Sequence, residues 1–282
     1  MFVKLEAKHF SMMAEYLAVN DEAVIYLKKP FEQFVEGDSQ GVFYGNFSGG
    51  IAGNPSCLTG IFYFSNKRVL ALHCVEQKIL AGLDLLKAIK YYKPKFVKGT
   101  SDMVQGGYRL ICRAVAETFE SQMTLMVYDD VCIDNLLPEG FSWVTGSDPS
   151  VDQLLSDLHF FIDVETHFGR QVKAINDIIK TFKCMILDEN YLLVVKDGEI
   201  VGQGLIEDET SSSGVLAGIY VSDKYRRLRI GESISRKLTE TLLVRGKKPY
   251  LFVKNNNNSA RLLYEKIGYK VVKQYAVLTV TY

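Results

Sequence analysis

Three arginines crowd one short stretch, Arg226-Arg227-Leu228-Arg229-Ile230-Gly231, with Glu232 directly after it. A guanidinium is a planar fork of donors that suits phosphate oxygens. Ile230, Ile234, Leu238 and Leu242 then recur every fourth residue, the pattern of one apolar helix face. The first N–H groups of a helix lack internal partners, and the helix dipole adds positive charge there. Those groups together could cradle a diphosphate between Leu228 and Glu232. A solvated basic turn capping a helix is the plainer reading of the same residues.

A second constellation could move protons. Asn257, Ala260, Tyr264, Gly268 and Tyr269 lie in one Asn-rich, helix-forming segment. Asn257 or Asn258 suits the cap, and Gly268 suits a left-handed termination. Ala260 and Tyr264 stand one turn apart on the same face. A phenol there can act as a general acid. Carboxylates are fewer: Glu207 and Asp208 close an apolar alternation, and Glu165 and His167 lie between two helical segments. Solvated loop carboxylates and a polar helix connection explain these equally well.

The elements that must hold these groups are legible by period. From Val151 the order is helix, helix, strand, strand, strand, helix, strand, helix, strand. The strand Val215 to Val221 leads into the arginines, Asp197-Gly198 marks a hairpin, and Val271 to Thr281 closes the order with a strand. Upstream, strands at Phe2 to Ala7, Gly41 to Phe47, Thr59 to Phe64, Arg68 to Val75, Phe96 to Gly99 and Gln122 to Tyr128 alternate with helical signals. Those helical signals cover His9 to Leu17, Asp21 to Phe34 (interrupted by Pro30), Gln77 to Tyr92 and Gly107 to Phe119. Asp129 to Pro149 breaks the pattern, so we expect two α/β domains, 1–137 and 138–282.

The arginine stretch resembles motif A of the GNAT superfamily of acyl-CoA-dependent N-acetyltransferases, Gln/Arg-x-x-Gly-x-Gly/Ala after the fourth strand. Arg226 and Gly231 match its first and last positions; Arg229 replaces the middle glycine, where we expect it to hold helical angles. Its side chain could close over the phosphates or block them. The Tyr264 segment resembles motif B, Asn-x-x-Ala-x-x-x-Tyr-x-x-x-Gly-Phe/Tyr, without a gap. The resemblance covers about residues 140 to 282 and implies a GNAT fold with a mixed, splayed sheet flanked by helices. The first half reads as a diverged copy that has lost the glycine–arginine loop at Val75-Glu-Gln-Lys78.

The resemblance implies transfer of an acetyl group from acetyl-CoA to a primary amine by direct attack. The pantetheine arm would pair with Ile219, Tyr220 and Val221. The loop Arg226, Arg227, Leu228, Arg229, Ile230, Gly231 and Glu232 would hold the phosphates, with Asn257 and Ala260 also at the cofactor. Tyr264 would serve as general acid for the thiolate and Glu207 as the base. Two alternatives stand beside this: a non-catalytic acyl-CoA sensor, and a transferase of a larger acyl group.

Composition sets the outer limits. The chain has 33 basic and 33 acidic residues, so no global field draws nucleic acid or membrane. Five scattered cysteines form neither a metal set nor a disulfide framework, which fits a reducing cytoplasm. The start lacks a signal-peptide core, and no apolar run is long enough to span a bilayer. No metal is expected. His73 and Cys74 read as core, and Gly202-Gln-Gly204 lacks the third glycine of a dinucleotide loop. Partners reduce to a small-molecule or peptide amine, and a homodimer is compatible with the sequence.

Overall fold

The computed structural model describes residues 2–48, 58–76, 80, 82–130, 137–146, 148, 154, 158–169, 175–186 and 188–282. The turn expected at Gly49 to Ser56, the segment Gln77 to Lys78 and parts of the helices expected from Val151 and Arg170 lie outside these residues. The chain forms two compact units interleaved in sequence. Unit 1 holds residues 1–125, 253–257 and 271–282; unit 2 holds 126–252 and 258–270. This differs from two contiguous halves meeting near residue 137, because the closing residues of the chain belong with its opening ones.

Unit 1 contains β1 (Phe2–Lys4), α1 (Phe10–Val19), α2 (Ile25–Val35), β2 (Gly41–Phe47), β3 (Leu58–Ser65), β4 (Val69–Cys74), α3 (Leu83–Tyr92), β5 (Phe96–Thr100) and α4 (Ser101–Ile111). Most of β6 (Glu117–Tyr128) and of the closing strand, Tyr269–Thr281, completes it. The closing strand pairs antiparallel with β5, Tyr275 opposite Thr100. Side chains alternate across the sheet, as period 2 requires. Phe62, Phe64, Leu70 and Leu72 pack with α3 and α4, whereas Ile61, Tyr63 and Ala71 pack with α1 and α2. Three local expectations are corrected here. Pro30 lies inside α2 without interrupting it. The helix expected from Gly107 begins at Ser101 instead, and residues 117–119 are strand.

Unit 2 contains β7 (Ser142–Thr145), α5 (Leu158–His167), α6 (Ile175–Ile186), β8 (Tyr191–Lys196), β9 (Glu199–Glu207), β10 (Ser213–Val221), α7 (Ile230–Val244), β11 (Lys248–Lys254, mostly) and α8 (Asn258–Lys266). The closing strand is β12 (Tyr269–Thr281). Strand order in unit 2 is β11-β10-β9-β8-β7. Antiparallel β8, β9 and β10 give way to a parallel β10–β11 pair, so the sheet is mixed. Asp197 and Gly198 both take left-handed angles in the β8–β9 turn, as an Asp-Gly hairpin demands. Phe161, Phe182 and Val164 of the paired helices cover Tyr191, Leu193 and Val195 of β8. On α7, Ile230, Ile234, Leu238 and Leu242 are all buried. The helix rides close to β9: a Cβ on Gly204 would lie 2.6 Å from the Ile234 Cγ2. That contact explains the Gly202-Gln-Gly204 sequence without any dinucleotide.

Candidate active site

The site begins where two parallel strands part. β10 and β11 pair from Ser213–Lys248 to Leu216–Leu251, and register ends there although β10 continues to Val221. Residues 217–221 therefore have no β11 partner in register and leave a main-chain edge. On its other side β10 pairs with β9, but the register shifts between Ala217 and Tyr220. Gly218 and Ile219 stand opposite the single Gly204, which is a bulge. Gly218 has φ 60°, and a Cβ there would lie 2.3 Å from the Leu205 Cδ2. Only glycine fits both demands.

The bulge has a side-chain support that sequence reasoning missed. Gln203 is buried; its Nε2 donates to the Gly218 carbonyl at 3.2 Å, and its Oε1 accepts from the Tyr191 hydroxyl. The available signal was a lone polar residue between two glycines in an otherwise apolar strand.

From Val221 the chain turns through a single 3-10 turn, Asp223–Tyr225. Arg226 ties this turn together: its Nε donates to the Val221 carbonyl at 3.4 Å, and its Nη2 lies 2.6 Å from Asp223. Arg227 and Arg229 both have left-handed backbones, φ 66° and 64°. The expectation of helical angles at Arg229 is thus corrected: the position keeps the backbone that favours glycine, at a cost on the order of 1 kcal/mol for a larger side chain. Leu228 is exposed.

Glu232, expected at the phosphates, is a buried anchor. Arg229 Nη2 lies 3.1 Å from its carboxylate, Arg236 Nη2 3.3 Å and Lys266 Nζ 2.8 Å. The Arg229 hydrogen bond first, then Lys266, holds its carboxyl down to about 2 against the opposing effect of burial. Leu137, Pro138, Arg227, Leu228, Arg229, Glu232, Ser233 and Arg236 line a cavity of about 450 Å³ at this helix start. Gly231 sits in the first turn of α7. A Cβ added there meets nothing nearer than Val221 Cγ2 at 3.7 Å, so the fold does not require glycine.

Two contacts bring the motif-B helix to the same place. Lys266 of α8 reaches Glu232, and Leu263 Cδ1 lies 3.9 Å from a Cβ position on Gly231. Tyr264, on α8, is half-buried with its ring 6.0 Å from Tyr269. Burial pushes its hydroxyl up to about 12, so it stays protonated at neutral pH. Tyr269 is anchored by a 2.7 Å bond to Thr239 of α7. Gly268 terminates the segment with φ 105°, as expected.

The structure places the other expected residues as follows. Asn257 is exposed and immediately precedes α8, and Ala260 is half-buried in its first turn. Tyr220 sends its ring into the core, 5.6 Å from Phe160 and 5.1 Å from the His167 ring. Its backbone, not its phenol, faces the parted strands. Glu165 is buried on α5. Glu207 is exposed and opposite Val215, on the β9 side and at the paired end of β10. Val221 lies six residues, or about 20 Å, further along the strand. Asp208 follows with φ 46°.

Among the described residues no group of three or more His, Cys, Asp or Glu is placed to hold a metal ion, and no helix is long and apolar enough to cross a membrane.

Residues 203–278 match the family model described as FR47-like protein. A search of curated proteins gives no match. Three solved structures illustrate the architecture. A GCN5-related N-acetyltransferase from Sphaerobacter thermophilus is 17% identical, with 99% of this chain and 94% of that one covered, at a TM-score of 0.62. A tandem GNAT protein from the clavulanic acid biosynthesis pathway is 11% identical, with 99% and 98% covered, at 0.60. A Drosophila protein is 12% identical, with 99% and 98% covered, at 0.69. Likeness at these identities speaks for the fold. The chain therefore has the GNAT fold along its length, and residues 203–278 match the FR47-like family model.

Proposed function

We propose that this protein is an acyl-CoA-dependent N-acyltransferase, with acetyl-CoA as donor and a primary amine on a small molecule or peptide as acceptor. The observation that carries the reading is the parting of β10 and β11 after Leu216, next to a helix start whose loop holds two left-handed arginines beside a 450 Å³ cavity. Such a wedge offers a main-chain edge at one end and an anion-binding helix N-terminus at the other.

Acetyl-CoA supplies the thioester; the chain supplies position and polarity. The edge of residues 217–221 suits the amide groups of an extended arm. The first N–H groups of α7, with Arg227 and Arg229 at the rim, suit a diphosphate. Tyr264 is a weaker acid than a thiol, which ordinarily titrates near about 8.5. Its task is thus to donate a hydrogen bond to the departing sulfur and make the thiolate a better leaving group. The acceptor's proton passes to water, and Glu207, at the paired end of β10, is proposed to receive it only through that water. We place the protein in the cytoplasm.

The test uses Gly231, which the fold leaves free to change. Gly231→Ala should fold normally, and Gly231→Val should weaken CoA binding more than about tenfold by calorimetry, since the larger side chain intrudes on the diphosphate. Equal affinity in the valine variant would move the diphosphate elsewhere. Binding of acetyl-CoA without thiol release across an amine panel would favour a sensor instead.

A further inference from the structure

We infer that Gln203, oriented by Tyr191, is a positioning residue that presets the β10 bulge and so the edge offered to the acyl donor; this rests on the acyl-CoA reading above. A bulge takes residues out of the ladder, and even a part-buried carbonyl left without a donor is costly. Gly218 is out of register, and the Gln203 amide supplies its donor at 3.2 Å. Both Gln203 and Tyr191 are only 2% exposed.

The chemistry allows one orientation of this amide. A backbone carbonyl only accepts, so Nε2 must face Gly218. The amide oxygen is then left to the Tyr191 hydroxyl, which donates to it. Tyr191 belongs to β8, Gln203 to β9 and Gly218 to β10, so one chain of hydrogen bonds crosses three strands. It holds the Gly218 carbonyl toward β9. The residues that follow, Ile219 to Val221, keep a fixed backbone on the side where β11 has parted.

Three variants separate the links. Gln203→Met removes the whole amide at similar length. Gln203→Glu keeps an acceptor for Tyr191 and loses the donor to Gly218. Tyr191→Phe keeps the donor and releases the amide's other end. In the unliganded full chain, hydrogen exchange of residues 217–221 should quicken about tenfold in Gln203→Met and Gln203→Glu, and less in Tyr191→Phe. Exchange in α7 and in residues 213–216 should stay as in the wild type. CoA titrated by calorimetry should bind about tenfold more weakly to Gln203→Met, following the same order.

Uniformly faster exchange, or none, would overturn the inference, because a general packing role or no role would then suffice. Local quickening with unchanged CoA affinity would overturn the link from bulge to donor. A wild type that binds no CoA would overturn the acyl-CoA reading, while the exchange pattern would still decide whether Gln203 sets the bulge.

Discussion

Each unit contains a parallel strand pair followed by helices, and the two pairs end differently. In unit 1, β4 and β5 pair from Val69–Phe96 to Ala71–Lys98. Beyond that point Leu72, Cys74, Leu80, Met103 and Val104 share one apolar cluster, with the Cys74 sulfur 3.5 Å from that of Met103. Burial pushes the Cys74 thiol up to about 12, which leaves it inert. A Cβ on Gly99 would lie 2.8 Å from the Leu72 carbonyl, so the strands stay in contact past the last pair. Tyr108, in the helix that follows β5, is exposed and bonds Thr118 at 3.1 Å. In unit 2 the matching region is bordered by guanidinium groups and a cavity, and Tyr264 sits on the helix whose Lys266 reaches Glu232. The fold supplies a pair of strands in both units. Whether that pair ends in a packed core or beside an open cavity is decided by a handful of side chains.

The largest test of this contrast is to empty the filled wedge. Met103→Ala removes a buried side chain and should cost about 2–4 kcal/mol in denaturant unfolding, with CoA affinity unchanged. A weakened CoA constant would mean that unit 1 serves the ligand site after all.

Removing the two phenols comes next. Tyr264→Phe should lower kcat about 100-fold under saturating acetyl-CoA, with CoA affinity within about threefold, since the hydroxyl acts on the leaving sulfur. Tyr108→Phe should leave both constants alone. Equal behaviour of the two variants would erase the distinction between the units.

Glu232 gives the contrast a pH signature. Its carboxyl titrates at about 2 in the fold against an ordinary 4.5. An acid depressed by folding stabilises the native state fully above its ordinary value, and that contribution is lost as pH falls through the folded one. Its partners Arg229 and Lys266 are well exposed, so screening limits the effect to on the order of 1–2 kcal/mol. The stability gap between wild type and Glu232→Gln should therefore shrink from about pH 5 toward about pH 2. A constant gap would mean that the three cations do not depend on the charge.

Arg229→Gly should have the smallest effect. Glycine relieves the left-handed backbone but gives up the pair with Glu232, so stability should move by less than about 1 kcal/mol. CoA binding should weaken a few-fold and depend less on salt, because one exposed charge is lost. Tighter binding would identify the arginine as a plug in the position where the related motif has glycine.

Much of this contrast was legible beforehand, and the failures have physical causes. Asp197-Gly198, the α7 face and the motif-B helix follow from local chemistry, so period and turn residues place them. The α4 start at Ser101 lies ahead of the period read from Gly107, because packing of Met103 and Val104, not period alone, holds its first turns. β7 was missed because four residues are too short for a period; pairing with β8 makes it a strand. Arg229 looked helical because sequence carries no sign of φ. Gln203 was silent because its role depends on Gly218, fifteen positions away, being out of register. Glu232 carried a charge that suggested contact with ligand, yet its neighbours on two helices make it a brace.

The closing strand sets a timetable for synthesis. β12 completes unit 1 beside β5, and the Tyr275 hydroxyl bonds the Glu22 carbonyl across 253 positions of sequence. A nascent chain that has emerged only as far as β6 has made almost all of unit 1, yet its β5 edge waits uncovered until some 140 further residues arrive. An uncovered strand edge invites pairing with another chain. Contacts this distant along the polymer are also slow to close. The ribosome-bound intermediate, more than the finished protein, is the stage at which this edge is open to mispairing.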